Sequence, residues 1–411
     1  MTLEGITVLD LSRLIAGPYA AMVLAHYGAR VIKLEALSGE EGRSFGPPFC
    51  GDTAALFLQT NRGKESLALD LRKPRGREVL ERLVARADVL IHSFRPDFAE
   101  RARLRYEDLA PLNPRLIHYT VTAYGSDSPY RLKPAVDSVV QGVAGGFYGA
   151  GEEGDPPIRN SLPVVDVASG MCGALGVMAA LLERHKSGRG QKLELALIDT
   201  MFNFLGSKIA EAALEGRVTR EINPPIVAPS RHFRAADDRW FTVSAINDAA
   251  FARLCALIGR PEWTRDPRYA DNAARVAHRG LLLPALAEIF ATRPAQHWLQ
   301  ALDAADIPAG PVNTVPDMLA DPALHDRLAF QAAVPGLPMP ELPVQQSRGQ
   351  SRAAQLAPAP GLGEHSAQVL ADAGYAAEEI QSLAAEGVTR LGGPPRLGER
   401  APKTSAENPR S

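Results

Sequence analysis

Short β-branched runs alternate with helix-like runs over residues 5–197 of the chain. This alternation predicts parallel strands joined by crossover helices, because antiparallel hairpins need only short turns between their strands. The predicted strands are 5–11, 29–35, 66–71, 88–94, 115–125 and 191–197, and the predicted helices are 18–27, 74–87 and 167–186. Pro74 falls in the first turn of its helix, where the missing N–H costs nothing. The predicted fold class is α/β.

The pattern changes over residues 225–330. A hairpin is predicted around Asp237 and Asp238, and amphipathic helices are predicted at 248–258, 279–291 and 294–304, which together indicate a smaller α+β domain. Residues 334–363 are rich in Pro, Gly and Gln, which favours an extended connection back to the first domain. Residues 365–388 are predicted to form two short helices broken at Gly374, and the polar tail from 392 is predicted to be disordered.

Composition and charge exclude several classes of protein. The 411 residues include 45 Lys+Arg and 47 Asp+Glu, a net charge of −2 that argues against a nucleic-acid partner. The three cysteines lie far apart, so they predict neither a disulfide framework nor a zinc or other metal site. The first residues lack the features of a signal peptide, and no uninterrupted apolar run reaches the roughly 18 residues of a membrane span. We therefore expect a cytoplasmic protein with no membrane partner.

Asp166 lies where an apolar run ends and a helix rich in small residues begins. The simplest interpretation makes Asp166 the N-cap of that helix. A second interpretation makes it a nucleophile, since a helix dipole would hold this carboxylate ionised and apolar neighbours would shield it from water. The small residues Ser169, Gly170 and Gly173 fit either close approach of a ligand or tight helix packing, and spacing leaves both open.

The segment Ala16-Gly17-Pro18 follows the first predicted strand. Loops at the carboxyl ends of parallel strands bind ligands in α/β proteins, but the GxGxxG fingerprint of a dinucleotide site is absent. Each basic residue near a strand end, taken alone, is typical of a solvated surface. As a group they could bind phosphates or a nucleotide: Arg62, Lys64, Arg72, Lys73, Arg95 and Arg101.

Several segments of the chain resemble family III CoA transferases, also known as the CaiB/BaiF family. They include LDLSRLIAGPYAAMVLAHYGARVIKLE, TNRGKESLALDLRKPRGREVLERL, ADVLIHSFRP, NPRLIHYTVTAYG and DVASGMCGALGVMAALLERHKSGRGQ, and the matches run in order from residue 3 to residue 391. The family contains formyl-CoA and carnitine CoA transferases as well as α-methylacyl-CoA racemases. The resemblance implies that the chain is a CoA transferase.

The resemblance implies roles for particular residues. Asp166 matches the aspartate that attacks the donor thioester, and Asp137 matches a residue near the reacting centre. Contacts with CoA are implied for Ile15, Ala16, Leu71, Arg72, Ser93, Phe94, Arg95 and Arg101. The substrates would be CoA thioesters, with succinyl-CoA a common donor among relatives, and a small carboxylic acid as acceptor. No permanently bound cofactor is implied.

The resemblance also implies the domain organisation and the assembly. A large Rossmann-like domain would be built from both chain ends, residues 1–204 and 341–391, and a small domain from residues 225–330. Residues 205–224 and 331–340 would be linkers, and residues 392–411 a disordered tail. Two subunits would form a homodimer, interlocked like rings of a chain.

The chemistry of CoA transfer explains why a carboxylate is needed. To keep the energy of the thioester, a protein carboxylate can form a mixed anhydride and then an aspartyl-CoA thioester. Arg43, Arg231 and Arg234 are candidate anion-binding groups for the acid. His118 and His232 are interpreted as structural or exposed.

The chain departs from its relatives at three places. Ile15 replaces a glutamine of the formyl-CoA transferases, and residues 222–233 lack their glycine-rich lid loop, which argues against formyl or oxalate specificity. Val136 precedes Asp137 where racemases carry a histidine, which favours transfer over racemisation. The alternatives are a racemase-type isomerase, a non-catalytic CoA-binding protein and, on fold class alone, a nicotinamide oxidoreductase.

Overall fold

The computed structural model describes residues 2–148, 151, 154–216, 226–325, 328–330, 337–340, 342–344 and 356–395. These residues form two compact units. The first lies within Met1–Gly146, Arg159–Ile209 and Leu328–Ser411, and the second lies within Phe147–Ile158 and Ala210–Arg327.

The β-strands of the described residues are numbered in chain order. They are β1 Thr7–Asp10, β2 Arg30–Glu35, β3 Phe49–Cys50, β4 Thr53–Ala54, β5 Lys64–Leu69, β6 Val89–His92, β7 Ile117–Thr122, β8 Lys192–Ala196, β9 Ser230–Arg234, β10 Trp240–Ser244, β11 Ala309–Pro311, β12 Leu328–Phe330, β13 Pro338–Pro340 and β14 Thr389–Arg390. The six strands predicted from the alternating pattern are confirmed, five with slightly shorter bounds and β5 with bounds two residues earlier than predicted.

The α-helices are numbered in the same way. They are α1 Ala16–His26, α2 Ala55–Thr60, α3 Pro74–Val84, α4 Pro96–Arg101, α5 Tyr106–Leu109, α6 Asp137–Val143, α7 Val164–Ser187, α8 Leu197–Phe204, α9 Gly206–Glu215, α10 Asp248–Leu257, α11 Asn272–Ala277, α12 Arg279–Phe290, α13 Ala295–Ala304, α14 Val315–Ala320, α15 Pro322–His325, α16 Ser366–Asp372 and α17 Ala377–Ala385. Short 3₁₀ turns lie at Glu41–Ser44, Gly146–Tyr148 and Pro261–Arg265.

The first unit is built on a seven-stranded sheet with the order β14-β5-β2-β1-β6-β7-β8. Neighbouring strands are parallel except at the edge, where β14 from the end of the chain runs antiparallel to β5. The order of the parallel strands reverses at β1, since β2 and β5 extend the sheet on one side and β6, β7 and β8 on the other. Such a reversal leaves a crevice beyond the carboxyl ends of the two central strands, here β1 and β6.

Both faces of this sheet are covered by helices. In β1, Val8 belongs to an apolar cluster with α1 and α7, and the next residue, Leu9, belongs to a second cluster with α3, α16 and α17. Consecutive side chains of a strand point to opposite faces, so an unbroken apolar run fits a strand buried on both faces. This burial explains why the strands could be predicted from their composition.

The small residues of α7 allow it to approach its neighbours closely. A Cβ atom on Gly173 would lie 2.0 Å from the Tyr119 hydroxyl, and one on Gly170 would lie 2.8 Å from the carbonyl oxygen of Ala16. Ser169 is fully buried and donates a hydrogen bond to Thr200 at 2.9 Å. Packing therefore accounts for these residues. By length and composition α7 could cross a membrane, and 44% of its most apolar window is buried inside the fold.

The second unit has its own core. The predicted hairpin is confirmed as β9 and β10, which are antiparallel, and β11 pairs with the other edge of β10. The helices predicted in this region correspond to α10, α12 and α13. Phe290 of α12 lies at the centre of the core, with its ring in contact with Phe233, Phe241 and Trp298.

The predicted domain boundaries remain a prediction. Helix α9 lies inside the segment that was expected to be a linker, and residues 147–158 belong to the second unit. The two short helices predicted on either side of Gly374 are confirmed as α16 and α17. Residues 217–224 of the first predicted linker, 331–336 of the second, 222–225 of the expected lid region and the tail from 396 lie outside the described residues.

Candidate active site

A cavity of about 510 Å³ opens at the carboxyl ends of β1, β6 and β7. This volume is within the usual range for small-molecule sites. Its walls, all in the first unit, come from residues 13–17 after β1, 93–96 after β6, 121–123 at the end of β7, and the segments 131–138 and 159–166 that lead into α6 and α7. The cavity thus occupies the crevice that the strand order creates.

Asp166 lines this cavity from the first turn of α7. The prediction that it is the N-cap was wrong, because the helix begins two residues earlier at Val164 and its N-cap position is Pro163. The amide groups of Val165 and Asp166 donate instead to Oδ2 of Asp137, at 2.9 and 3.0 Å. The carboxylate of Asp166 accepts no hydrogen bond from any residue that the structure describes.

Asp137 supplies the cap from a different helix. It is the first residue of α6, is only 8% exposed, and accepts a further hydrogen bond from the side chain of Gln141. A cap from outside the helix satisfies the amide groups that Asp166 would otherwise bind. The Asp166 side chain is therefore left available to the cavity.

The protonation of Asp166 also differs from the expectation. Burial raises the pKa of Asp166, and the neighbouring charge of Asp137 raises it further, to about 7. The helix dipole was expected to hold this carboxylate ionised, but desolvation and a like charge both favour the neutral acid. Asp166 is thus about half ionised at neutral pH.

The turn between β1 and α1 contributes the predicted residues Ile15 and Ala16 to the cavity wall. Leu14, just before them, has a φ of +64°, a left-handed conformation that costs a residue with a Cβ roughly 1–2 kcal/mol. Gly17 is required at the start of α1, because a Cβ atom there would lie 2.3 Å from Cβ of Ser12.

The loop after β6 forms the facing wall, with the predicted residues Ser93, Phe94 and Arg95. The hydroxyl of Ser93 accepts a hydrogen bond from the Arg13 amide at 2.9 Å, which ties the two walls together. The Arg13 guanidinium also lies 5.3 Å from the centre of the Phe94 ring, and Arg95 forms an ion pair with Asp97 at 3.0 Å.

Three predicted CoA contacts lie outside the residues that line the cavity. Leu71 and Arg72 follow β5, on the far side of β2 from β1, and the exposed Arg72 is paired with Asp70 at 2.8 Å. Arg101 is paired at 3.2 Å with Asp97, the partner that it shares with Arg95. Their contacts with CoA remain predictions.

Other basic residues that the sequence suggested have structural partners. Lys64 was grouped with surface charges, but its side chain is fully buried and paired with Asp10 at 2.8 Å. Arg62 is also buried, with 3% of its surface exposed. Arg43 forms an ion pair with Glu35 at 2.7 Å and stacks on the Phe57 ring.

The histidines singled out in the sequence lie outside the cavity lining. His118 is structural, as expected, since it is 1% exposed and its Nε2 lies 2.8 Å from the carbonyl oxygen of Leu104. His232 lies on β9 of the second unit, as do the candidates Arg231 and Arg234.

Several cations of the cavity were not predicted from the sequence. Arg13, Arg131, Lys133 and Arg159 all line it. Arg13 is paired with Glu41 at 2.9 Å and Lys133 lies 3.8 Å from the Tyr130 ring centre, whereas Arg131 and Arg159 form no ion pair with a described residue. The sequence did contain a signal for two of them, because Arg131 lies shortly before Asp137 and Arg159 shortly before Asp166. The excess of positive charge suits an anionic ligand.

Comparison with known proteins decides the family. The family model described as CoA-transferase family III matches residues 3–366 of the chain. The chain belongs to this family. The family III chain is 35% identical to a succinate–glutarate CoA-transferase from Agrobacterium fabrum, over 90% of this chain and 95% of the relative. It is 34% identical to an acetyl-CoA:oxalate CoA-transferase from Acetobacter aceti, over 75% of this chain and 80% of the relative.

Solved structures agree with this assignment. A CaiB/BaiF family protein from Brucella suis superposes with a TM-score of 0.79 at 33% identity, covering 90% of this chain and 98% of that one. The chain is accordingly a CoA transferase, and its substrates include CoA thioesters. The α/β fold expected from the sequence is confirmed.

Proposed function

We propose that this family III enzyme transfers CoA from an acyl-CoA donor to a small carboxylic acid, with Asp166 as the nucleophile. The observation that carries the proposal is the placement of the Asp166 carboxylate in the wall of the cavity, without a hydrogen-bond partner among the described residues. A structural aspartate at this point would cap α7, but Asp137 already does so.

The reaction balances without a cofactor. A carboxylate oxygen of Asp166 attacks the thioester carbonyl of the donor and CoA leaves as the thiolate, which gives a mixed anhydride. The thiolate then attacks the aspartyl carbonyl and releases the donor acid, which gives an aspartyl-CoA thioester. The acceptor carboxylate displaces CoA to form a second anhydride, and CoA attacks the acceptor's acyl carbonyl to regenerate Asp166. Both anhydrides must be kept from water.

The decisive test compares Asp166→Ala with a matched control. Asp199→Ala removes an aspartate from the first turn of α8 that does not line the cavity. Each protein is incubated with a panel of acyl-CoAs and acids, and new CoA esters are identified by mass spectrometry. We expect exchange to vanish only in Asp166→Ala, and hydroxylamine to trap an aspartyl adduct in the wild type. Transfer by Asp166→Ala at the wild-type rate rules out this nucleophile.

We further propose that the acceptor is a dicarboxylic acid. Two relatives are named for glutarate and oxalate, and Arg131 and Arg159, which form no ion pair with a described residue, supply positive charge in the cavity for a second carboxylate. The differences from formyl-CoA transferases at Ile15 and residues 222–233 favour an acid longer than oxalate. Racemisation is disfavoured because Val136, which lines the cavity before Asp137, offers no base.

Substitution of the two arginines tests the acceptor. Arg131→Gln and Arg159→Gln should each lower kcat/KM for glutarate about tenfold, since a charged hydrogen bond contributes roughly 1.5–3 kcal/mol. The value of kcat/KM for butyrate, which has no second carboxylate, should stay unchanged. Arg189→Gln, in the exposed loop after α7, is the control. An unchanged preference for glutarate in both variants overturns the dicarboxylate assignment, and a raised KM for the acyl-CoA alone assigns the arginines to CoA phosphates instead.

We also propose an interlocked homodimer in the cytoplasm. The outer face of α7 exposes Met171, Leu175 and Leu182 by 40%, 65% and 71%, an apolar stripe of the kind that subunit interfaces cover. The three cysteines, all among the described residues, form no disulfide bond, which suits a reducing compartment.

A further inference from the structure

Buried charges underlie the turn between β1 and α1. The side chains of Asp10, Lys33 and Lys64 are fully buried, and that of Glu40 is 3% exposed. None of these four residues lines the cavity, but the turn that they surround forms one of its walls. The proposed reaction leaves these charges without a role.

Glu40 contacts the strained residue of the turn directly. Its Oε2 accepts a hydrogen bond from the Leu14 amide at 3.1 Å and another from the Gly42 amide at 2.9 Å. Its Oε1 is buried, has no hydrogen-bond partner among the described residues, and lies 3.6 Å from Nζ of Lys33. The carboxylate is therefore held between a cation on β2 and the backbone of Leu14.

The other charges fix the residues on either side of Leu14. Nζ of Lys33 donates to the carbonyl oxygen of Ser12, and Oδ1 of Asp10 accepts the Ser12 amide at 2.9 Å. Lys64 donates to Oδ2 of Asp10 and to the carbonyl oxygen of Pro18, both at 2.8 Å. These hydrogen bonds hold the backbone on both sides of Leu14.

Stability alone does not account for this arrangement. A buried ion pair is weak evidence for stability, because its desolvation cost can exceed its attraction and apolar replacements are often as stable. A left-handed leucine is also unfavourable wherever glycine would serve. Backbone strain held in place by its surroundings gathers at functional sites, and Leu14 lies directly before Ile15 and Ala16 in the cavity wall.

We propose that Glu40, anchored by Lys33, is a positioning residue that holds Leu14 in its left-handed conformation and so sets the Ile15–Ala16 wall against the acyl-CoA. The inference rests on the proposed function, because it takes this wall to contact the CoA thioester. It assigns the buried carboxylate a role in binding geometry, and Glu40 itself touches no substrate.

The test is a rescue experiment. Glu40→Ala should raise the KM for acyl-CoA about tenfold, equivalent to about 1.4 kcal/mol, with the KM for the acid unchanged. Glu40→Gln should have a smaller effect, since its amide oxygen can still accept the Leu14 N–H. Adding Leu14→Gly to Glu40→Ala should restore most of the lost affinity, because glycine adopts a positive φ without the penalty.

Asp88→Ala provides a matched control for loss of stability. Asp88 is also a carboxylate paired with a cation, Arg184 at 2.7 Å, and it accepts the Thr7 amide at 2.8 Å, but at the opposite end of β1. We expect it to lower Tm without changing the KM for acyl-CoA. If Glu40→Ala likewise lowers only Tm, or if Leu14→Gly restores nothing, Glu40 is structural and the inference fails.

A second measurement separates this inference from the proposed function. Hydrogen–deuterium exchange of a peptide spanning residues 11–18 should be several-fold faster in Glu40→Ala than in wild type or Asp88→Ala. If the wild type transfers no CoA, the proposed function fails, and this exchange still reports whether Glu40 holds the turn. Unchanged exchange in Glu40→Ala overturns the positioning role whatever the activity.

Discussion

At the residue scale, two carboxylates at the start of α7 divide two tasks between them. Asp137 accepts hydrogen bonds from the amide groups at the start of the helix, and Asp166 lines the cavity. The division leaves two acidic groups close together, so the charge of one opposes the ionisation of the other. The proposed nucleophile is therefore only partly ionised near neutral pH, which makes its reactivity sensitive to pH in that range.

This arrangement predicts the pH profile of the enzyme. Only the ionised form of Asp166 attacks a thioester, and its pKa is raised by burial and by Asp137 to about 7, so kcat/KM for the donor should rise with pH through about 7. Asp137→Asn keeps an acceptor oxygen but removes the negative charge, which should lower the pKa of Asp166. The rising limb of the pH-rate profile should then move to lower pH. The limb is measured in pH-rate profiles, with Asp199→Asn as the control. A limb at the same pH in Asp137→Asn contradicts this coupling.

At the element scale, the close approach of α7 to β7 and α1 depends on residues without side chains. Gly173 faces the Tyr119 hydroxyl of β7, whereas nothing lies within 4 Å of the position where Gly176 would carry a Cβ atom. Gly173 and Gly176 therefore have different roles in the same helix. The first makes space for a neighbour, and the second only loosens the helix.

Alanine at the two positions should change stability in opposite directions. Gly173→Ala forces the Tyr119 ring to move and should lower the free energy of unfolding by about 1–3 kcal/mol, the usual cost of overpacking. Gly176→Ala should raise it by roughly 0.5–1 kcal/mol, since alanine is the better helix former. Denaturant unfolding of both variants measures the difference. Equal effects in the two variants are inconsistent with this packing.

At the scale of the whole molecule, α7 faces inward with its small residues and outward with an apolar stripe. The exposed residues Met171, Leu175 and Leu182 follow helical spacing, so they form one face. A soluble chain exposes such a face at a cost unless a partner covers it. A second copy of the chain is the partner that the family resemblance implies.

A charge placed in the stripe should prevent the proposed interlocked dimer from assembling. Wild-type protein is expected to sediment at twice the mass of one chain, and Leu175→Glu should shift it towards one chain mass because the new carboxylate would be buried without a partner. Lys186→Glu, an exposed charge reversal near the end of the same helix, should leave the mass unchanged. A dimer that persists in Leu175→Glu places the interface elsewhere.

The sequence by itself predicted the six parallel strands of the large sheet, the hairpin of β9 and β10 and eight of the helices, and it singled out Asp166 near the start of α7. Strands buried on both faces are continuous apolar runs, and the period of such runs is a local property of the chain. The family resemblance also pointed to the turn residues Ile15 and Ala16 and to the loop Ser93–Arg95, and these residues line the cavity at the carboxyl ends of β1 and β6.

The tertiary structure decided what depends on groups that are distant along the chain. Asp137 caps a helix that begins 27 residues later at Val164, and the pKa of Asp166 follows from that contact and from burial. Lys64 proved to be a buried partner of Asp10, where its position near a strand end suggested a surface charge. The spacing of apolar residues along the chain indicates which face of a helix or strand is buried. Capping, desolvation and charge pairing, in contrast, arise only when segments distant in the sequence meet in space.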